Sequence, residues 1–590
     1  MKFVIDKPFV ESLVDRFEEL GFLTEQLKFG TKAEIAFQQL AQAHVEHLHQ
    51  LYSEAGKSYQ SQAALVATLL QAMGPEHGSY ERGDLERMVP DLVNYLAEGA
   101  ERGWLFKVNQ AGKPLPWLVT RIDFTPPGEE ESGRILIELK ANVMAKVSTN
   151  SLTLMDKDIE GRTLPEMLIA KGYLKETPDM LAAYDDALER YHGWRPQTGT
   201  QFEAKGTGIY TEDPTASHRN RDWARKTRVV LSSSGGWARL VNDEAVIQER
   251  ELTLQVPGQI ASKYLRKAGR SMNFDDKVEA AVEKAVGQMS ETLFTEMPVH
   301  GYILMFHLDL HHHIWVHVDD MRLYQYKPEL KDKLVLPPEH TDLIDILTAE
   351  MDLLMDDIVE GKSGGTTVLC AGPAGVGKTL TAEVYSEIIK RPLYRVHSGQ
   401  LGLNVMEMEQ ALKDTLTRAQ RWGAVMLIDE ADVYIKRRDD NIAANAVVGV
   451  FLRVLEYFNG LLFLTTNRVN DIDEAIVSRC IALIKYHPPG LADRTRIWQV
   501  MCDQFGLSLE AGMVDQLATL FPEACGRDIK GLAKLVAKYC KHKSVPPTLD
   551  VFEKCSGFRG MEYKHLAGDM DSGQMLKEQS ELEGAISEGC

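Results

Sequence analysis

Apolar residues recur at helical spacing through the first hundred positions. Leu13, Val14, Phe17 and Leu20, then Leu65, Val66, Leu69, Leu70 and Met73, stand among polar and small residues. The pattern predicts a helical N-terminal domain over residues 1–105. The period then shortens. Pro114 to Phe124 runs into Thr-Pro-Pro-Gly, and Arg134 to Lys140 alternates as a half-buried strand does. An α+β domain is expected over 106–333, suited to recognising a client or partner. Its predicted helices are Thr177–Tyr191 and Asp275–Phe294. Its predicted strands are Arg228–Leu231, Leu252–Val256, Tyr302–Leu308 and Ile314–Val318. Leu334-Val-Leu-Pro-Pro-Glu339 reads as a linker, after which strand-length apolar runs alternate with helical stretches. The stretch 568–590 has few aromatics and much Gly, Ser and Glu, and is expected to form a flexible acidic tail.

Composition narrows the class. The chain has 590 residues, room for three or four domains with real cores, and 44% hydrophobic against 26% charged residues fits a soluble globular protein. Acidic residues outnumber basic ones 86 to 66, so the net charge of -20 argues against general nucleic-acid binding. The seven cysteines all lie at or after Cys370 with no CxxC pair, which indicates neither a disulfide framework nor a zinc site. A reduced, cytoplasmic setting is the expectation. The most apolar long stretch, Ala446 to Thr466, is interrupted by Arg453, Glu456 and Asn459, so no membrane association is expected.

The chemistry concentrates in two places. Thr367-Val-Leu-Cys-Ala371 is a buried strand by composition, and Gly372, Pro373, Ala374, Gly375, Val376, Gly377, Lys378 and Thr379 follow at once, with a helix predicted from Leu380. This satisfies GxxxxGK[ST]. Its glycines let backbone N–H groups turn toward phosphates at the positive end of the next helix. Lys378 would reach the β and γ phosphates of ATP, and the Thr379 hydroxyl would ligate Mg2+. About fifty residues on, Ala424-Val-Met-Leu-Ile-Asp-Glu-Ala-Asp432 is a strand ending in adjacent carboxylates, whose side chains point opposite ways. Asp429 would hold the magnesium, and Glu430 would orient and polarise the attacking water.

In this order, with Leu462-Phe-Leu-Thr-Thr-Asn467 and Asp473-Glu-Ala-Ile-Val-Ser-Arg479 downstream, the sequence resembles the AAA (AAA+) ATPases. The resemblance implies a multidomain α/β protein ending in a P-loop NTPase module. Residues 334–488 would be its large subdomain, a parallel sheet flanked by helices, and 489–567 a small helical lid. It also assigns Asn467 to the polar position that places the water, and Arg479 to an arginine finger that reaches a neighbouring subunit's nucleotide. Gly526-Arg-Asp-Ile-Lys530 is similar to the lid motif that brings Arg527 beside the phosphates. A homo-hexamer is implied. Further stretches, among them Lys378–Glu383, Arg391–Tyr394, Phe451–Phe458 and Gln201–Gly208, resemble large, mostly fungal members with an uncharacterised N-terminal domain.

Two departures bear on output. Many threading rings carry an aromatic in the loop represented here by Ser398–Met406, which has none; Leu401, Leu403 and Val405 are the remaining grips. Many relatives carry two arginines at the finger, where Arg479 stands alone. The function expected is ATP-driven remodelling or disassembly of a protein client chosen by the N-terminal domains. Alternatives are an ATP-gated oligomeric switch or scaffold and, against the net charge, a nucleic-acid motor or loader.

Other signals carry less. His307, His311, His312, His313 and His317 crowd a predicted hairpin whose tip, Asp309 to His313, would put histidines in solvent rather than on a metal. His44, His47 and His49 read as a polar helix side. His218 to Arg228 is a basic island with one aromatic, expected to be a solvated loop or a contact for acidic surface.

Overall fold

In a computed structural model the chain forms two compact units, Met1–Tyr324 and Gln325–Cys590. The structure describes residues 2–212, 228–248, 290–349 and 365–562, less short stretches inside those ranges. The basic island before Arg228, the strand predicted at Leu252–Val256, most of the helix predicted at Asp275–Phe294 and the tail 568–590 lie outside the described residues.

The first unit is more β-rich than its sequence pattern suggests. Lys2–Asp6 pairs antiparallel with Lys32–Ala36 inside the segment read as helical, around helices Lys7–Arg16, Gln42–Glu54, Gln60–Ala72 and Leu85–Ala97. Trp104–Val108, Pro114–Thr125, Arg134–Val143, Lys146–Met155 and Tyr173–Lys175 form a five-stranded antiparallel sheet. A single core crosses the boundary expected at residue 105. Phe3, Ile5, Leu13, Leu48, Leu69 and Leu92 pack in one cluster with Trp104, Leu118, Ile137 and Leu181. The helix predicted at Thr177 runs Pro178–Trp194, with the Thr177 hydroxyl accepting the Met180 N–H at its start.

A seven-stranded antiparallel sheet completes this unit, with strand order Arg228–Val230, Thr207–Tyr210, His312–His317, Tyr302–His307, Ala238–Asn242, Gln201–Ala204, Met321–Leu323. The histidine hairpin is at its centre; at its tip His311 and His312 are half-buried, and for His313 the solvent expectation is overturned. His307, on one face of the sheet, and His313 and His317, on the other, are all buried, because these central strands are covered on both faces. Their nitrogens are engaged: His307 Nε2 donates to the Leu231 carbonyl at 2.9 Å, and His313 Nε2 donates to the buried Asp243 carboxylate at 2.8 Å. His317 Nδ1 accepts the Asp319 N–H at 3.2 Å. His44 is buried as well, donating to Glu19 at 2.9 Å. Among the described residues, no three His, Cys, Asp or Glu side chains group as a metal site.

The two larger sheets of the first unit are tied by a buried ionic knot. Lys113, at the start of Pro114–Thr125, is 8% exposed and stands 2.9 Å from Asp320 and 3.7 Å from Asp319. Arg190 donates to Asp319 at 2.7 Å. Burial opposes both charges. The two aspartates nevertheless keep the Lys113 ammonium above its ordinary range, and His317, Lys113 and Arg190 hold Asp319 far below the usual carboxylate range.

In the second unit, Leu336 packs into the core, so the predicted linker is partly built in, and a helix starts at Pro338. The sheet is five-stranded and wholly parallel, in the order Leu393–His397, Val425–Asp429, Leu461–Thr466, Thr366–Ala371, Ala482–Lys485. Its central strands are apolar and fully buried, as a parallel sheet covered on both faces requires. Helices Leu491–Phe505, Met513–Leu520, Gly526–Lys543 and Leu549–Gly557 close over their own core of Trp498, Leu517, Ile529, Val536 and Phe552. No helix among the described residues is long and apolar enough to cross a membrane.

Removing one partner of a buried ion pair strands the others. Lys113→Met should therefore lower the urea-unfolding free energy of the first unit by about 3 kcal/mol at neutral pH. Asp319 has a depressed native pKa, so its contribution is present above the ordinary aspartate range and is lost as pH falls. The deficit of the variant should shrink below about pH 4. A deficit independent of pH would show that packing, not charge, is what Lys113 supplies.

Candidate active site

The site is built where the parallel strands end. Thr366–Ala371 delivers the chain into the loop Gly372–Gly377, and the helix Lys378–Ile388 leaves it. Gly375 and Gly377 have φ of 83° and 102°, in the left-handed region that glycine tolerates. Space forces glycine at 375 as well: a Cβ there would meet Cys525 Sγ at 2.4 Å and Arg527 Cβ at 3.0 Å. The helix Gly526–Lys543 thus starts against the glycine loop, and the Arg527 N–H donates to the Gly375 carbonyl at 3.3 Å. Cys525 and Asp528 cap that helix, with Sγ and Oδ2 2.8 Å apart.

Lys378 points back along the loop. Its Nζ donates to the carbonyls of Gly372 at 2.7 Å and Pro373 at 2.6 Å, and to Asn467 Oδ1 at 3.0 Å. Burial pulls its pKa down, outweighing the nearby Asp429 and Asp432. The ammonium therefore sits between the loop and the strand end that carries Asn467.

Asp429 is the best-held group of the site. Its Oδ1 accepts the Thr379 hydroxyl at 3.1 Å and the Thr465 hydroxyl at 2.5 Å, while its Oδ2 accepts Arg395 Nη2 at 2.5 Å. Burial alone would raise this carboxyl; the hydrogen bonds and the guanidinium outweigh it and keep the group ionised. Thr379 and Asp429 therefore present hard oxygen donors side by side, a set that suits magnesium. The open loop and the N-terminus of the following helix suit a nucleotide phosphate.

Glu430 faces the other way. It is exposed, and its φ of 56° is rare for a non-glycine residue, at a cost of order 1 kcal/mol or more. Its N–H donates to Thr465 Oγ1 at 3.0 Å, so one hydroxyl anchors both neighbouring carboxylate residues. Next along that strand, the Thr466 hydroxyl donates to Asp432, and the Asn467 N–H donates to the same carboxylate at 3.2 Å.

Of the residues expected to act, Lys378, Thr379, Asp429, Asn467 and Arg527 come together around the loop. Arg479 does not. It is exposed, and its guanidinium donates to Glu456 and, at 3.1 Å, to the Ala475 carbonyl. Sequence reasoning missed Thr465 as an individual residue, and missed Arg395 altogether. In the segment expected to grip a client, Leu401 is buried and cannot do so; Val405 is half-buried and Met406 is 82% exposed, while Leu403 lies outside the described residues.

A glycine loop between a buried parallel strand and a helix, facing a strand-end carboxylate across a threonine hydroxyl, defines a P-loop nucleotide-binding module. Residues 368–487 match the family described as "ATPase family associated with various cellular activities (AAA)", and the chain carries an AAA ATPase domain. Fidgetin-like protein 1 of Drosophila melanogaster is 26% identical over 196 residues, covering 32% of this chain and 38% of that protein. An AAA domain-containing protein of Schizosaccharomyces pombe is 30% identical over 164 residues, covering 26% of this chain and 21% of that one. The chain thus spans less than half the length of these relatives. A chain from the structure of the E. coli MS115-1 HORMA:CdnC:Trip13 complex aligns over 39% of this chain and 90% of its own, at 19% identity and a TM-score of 0.32.

Thr465→Val keeps the strand's shape but removes the hydroxyl shared by Asp429 and Glu430. ATP turnover should fall at least about tenfold while affinity for a fluorescent ATP analogue stays within about threefold. Equal loss of both in steady-state kinetics and binding titrations would mean that Thr465 only supports the strand.

Proposed function

We propose that this chain is an ATP hydrolase that uses turnover to remodel or disassemble a protein client. The observation that carries the reading is the division of labour at the end of Val425–Asp429. Asp429 is held inward beside Thr379, and Glu430 is turned outward by a left-handed backbone. Binding a nucleotide needs only the first; activating a water needs the second. Magnesium, held by Thr379 and Asp429, would supply charge neutralisation to the phosphates. Lys378 and Arg527 would add protein cations beside them, and Asn467 would fix the position of the water through its amide.

Arg479 would act in trans, in a homo-oligomer that we take to be a hexamer. Its exposed side chain is held by Glu456 rather than by its own P-loop, which leaves it presented outward. The described part of residues 1–324 would choose the client, in a cytoplasmic setting. A second reading, an ATP-gated switch or scaffold, is favoured by the client-gripping segment. That segment has no aromatic residue, and Leu401 is turned into the core.

Two experiments separate these readings. Glu430→Gln should bind ATP without turning it over, so capture with that variant from the source lysate, with and without ATP, should enrich one protein in the ATP sample alone. Self-association with no such protein would move the assignment to the switch. Mixing Arg479→Ala with Glu430→Gln subunits should restore part of the ATPase activity, because some mixed interfaces pair an intact glutamate with an intact arginine. Strictly additive inactivity would exclude a finger in trans.

A further inference from the structure

Arg395 lies on the strand Leu393–His397, next to Val425–Asp429 in the sheet, and enters no part of the reaction described above. Its Nη2 donates to Asp429 Oδ2 at 2.5 Å, the oxygen left over once Thr379 and Thr465 have taken Oδ1. Its Nη1 is 3.5 Å from Glu383 Oε1, on the helix that follows the glycine loop. The guanidinium therefore spans two carboxylates, one at the proposed metal site and one outside it. Its side chain is 40% exposed, against 8% for Asp429, so the guanidinium is open to solvent where the aspartate is not. Its Nε is buried without a hydrogen-bond partner, which leaves the present arrangement incompletely satisfied.

Two cations cannot share Asp429 at low cost. A divalent ion beside the guanidinium would meet like charge across a few ångströms in a partly buried site. Glu383 offers the guanidinium an alternative acceptor within a side-chain rotation.

We infer that Arg395 is a built-in counter-ion for Asp429, one that competes with magnesium and passes to Glu383 when the metal–nucleotide complex binds. The inference rests on the nucleotide-site reading and adds its regulation. Arg395 stabilises the nucleotide-free site by neutralising Asp429, and by the same contact it raises the magnesium concentration needed for loading. Arg395 acts through Asp429, as a positioning residue.

The two effects have opposite signs, and that makes the test specific. Binding of a fluorescent ATP analogue to the full chain would be followed across a magnesium series, alongside the melting temperature without nucleotide. Arg395→Met should lower the magnesium half-saturation by about fivefold, and lower the nucleotide-free melting temperature by roughly a few degrees. Arg395→Lys should stay close to the unaltered chain in both. Glu383→Gln, which removes the second acceptor, should raise the magnesium half-saturation. An unchanged magnesium dependence in Arg395→Met, or a loss of stability and of binding together, would overturn the inference and leave the nucleotide site standing. Failure of the unaltered chain to bind the analogue at any magnesium concentration would overturn both.

Discussion

The hydrogen bond from the Thr465 hydroxyl to Asp429 joins the two halves of the site. It crosses between neighbouring parallel strands, one residue beyond the last paired positions, Ile428 and Leu464. Because the same oxygen accepts the Glu430 N–H, the inward aspartate and the outward glutamate are fixed from one point. The strained backbone at Glu430 is tolerable because that anchor, together with the buried sheet behind it, leaves no relaxed alternative. Take the hydroxyl away and Asp429 keeps Thr379 and Arg395, while Glu430 loses the contact that sets its direction.

Charge is handled by the same economy. Asp429 carries its negative charge in a half-closed site because two hydroxyls and one guanidinium surround it. Lys378 carries its positive charge against loop carbonyls and an amide oxygen. Neither group depends on bulk water, so the site is organised before any phosphate enters, which limits the reorganisation needed during reaction. In the first unit the same principle serves structure alone. Lys113 and Arg190 balance Asp319 and Asp320 and join two sheets.

What could be read from the sequence divides along a physical line. The glycine loop, Lys378, Thr379 and the Asp429–Glu430 pair are consecutive in the chain, and their chemistry is carried by local spacing. Thr465 and Arg395 owe their roles to strand order and register, which bring together residues 34 to 36 positions apart. No periodicity encodes that. The histidine hairpin was legible as a hairpin, but alternation alone does not say whether one face or both are covered; here both are, with His307 on one face and His313 and His317 on the other. The short strands Lys2–Asp6 and Lys32–Ala36 escaped notice because each is five residues long and finds its partner across the 25 residues between them, read as helical. Arg479 is exposed, and its partner Glu456 could not have been named without the fold.

The core that runs unbroken past residue 105 decides how this protein can be taken apart. A fragment ending there would carry Phe3, Leu48, Leu69 and Leu92 without Phe106, Leu118 and Ile137, the residues they pack against. Such a piece would expose a wide apolar face, and the proteins adhering to it would report its stickiness rather than its recognition. Cutting between Tyr324 and Gln325 instead leaves each hydrophobic interior whole, so whatever the first unit then binds can be ascribed to its native surface.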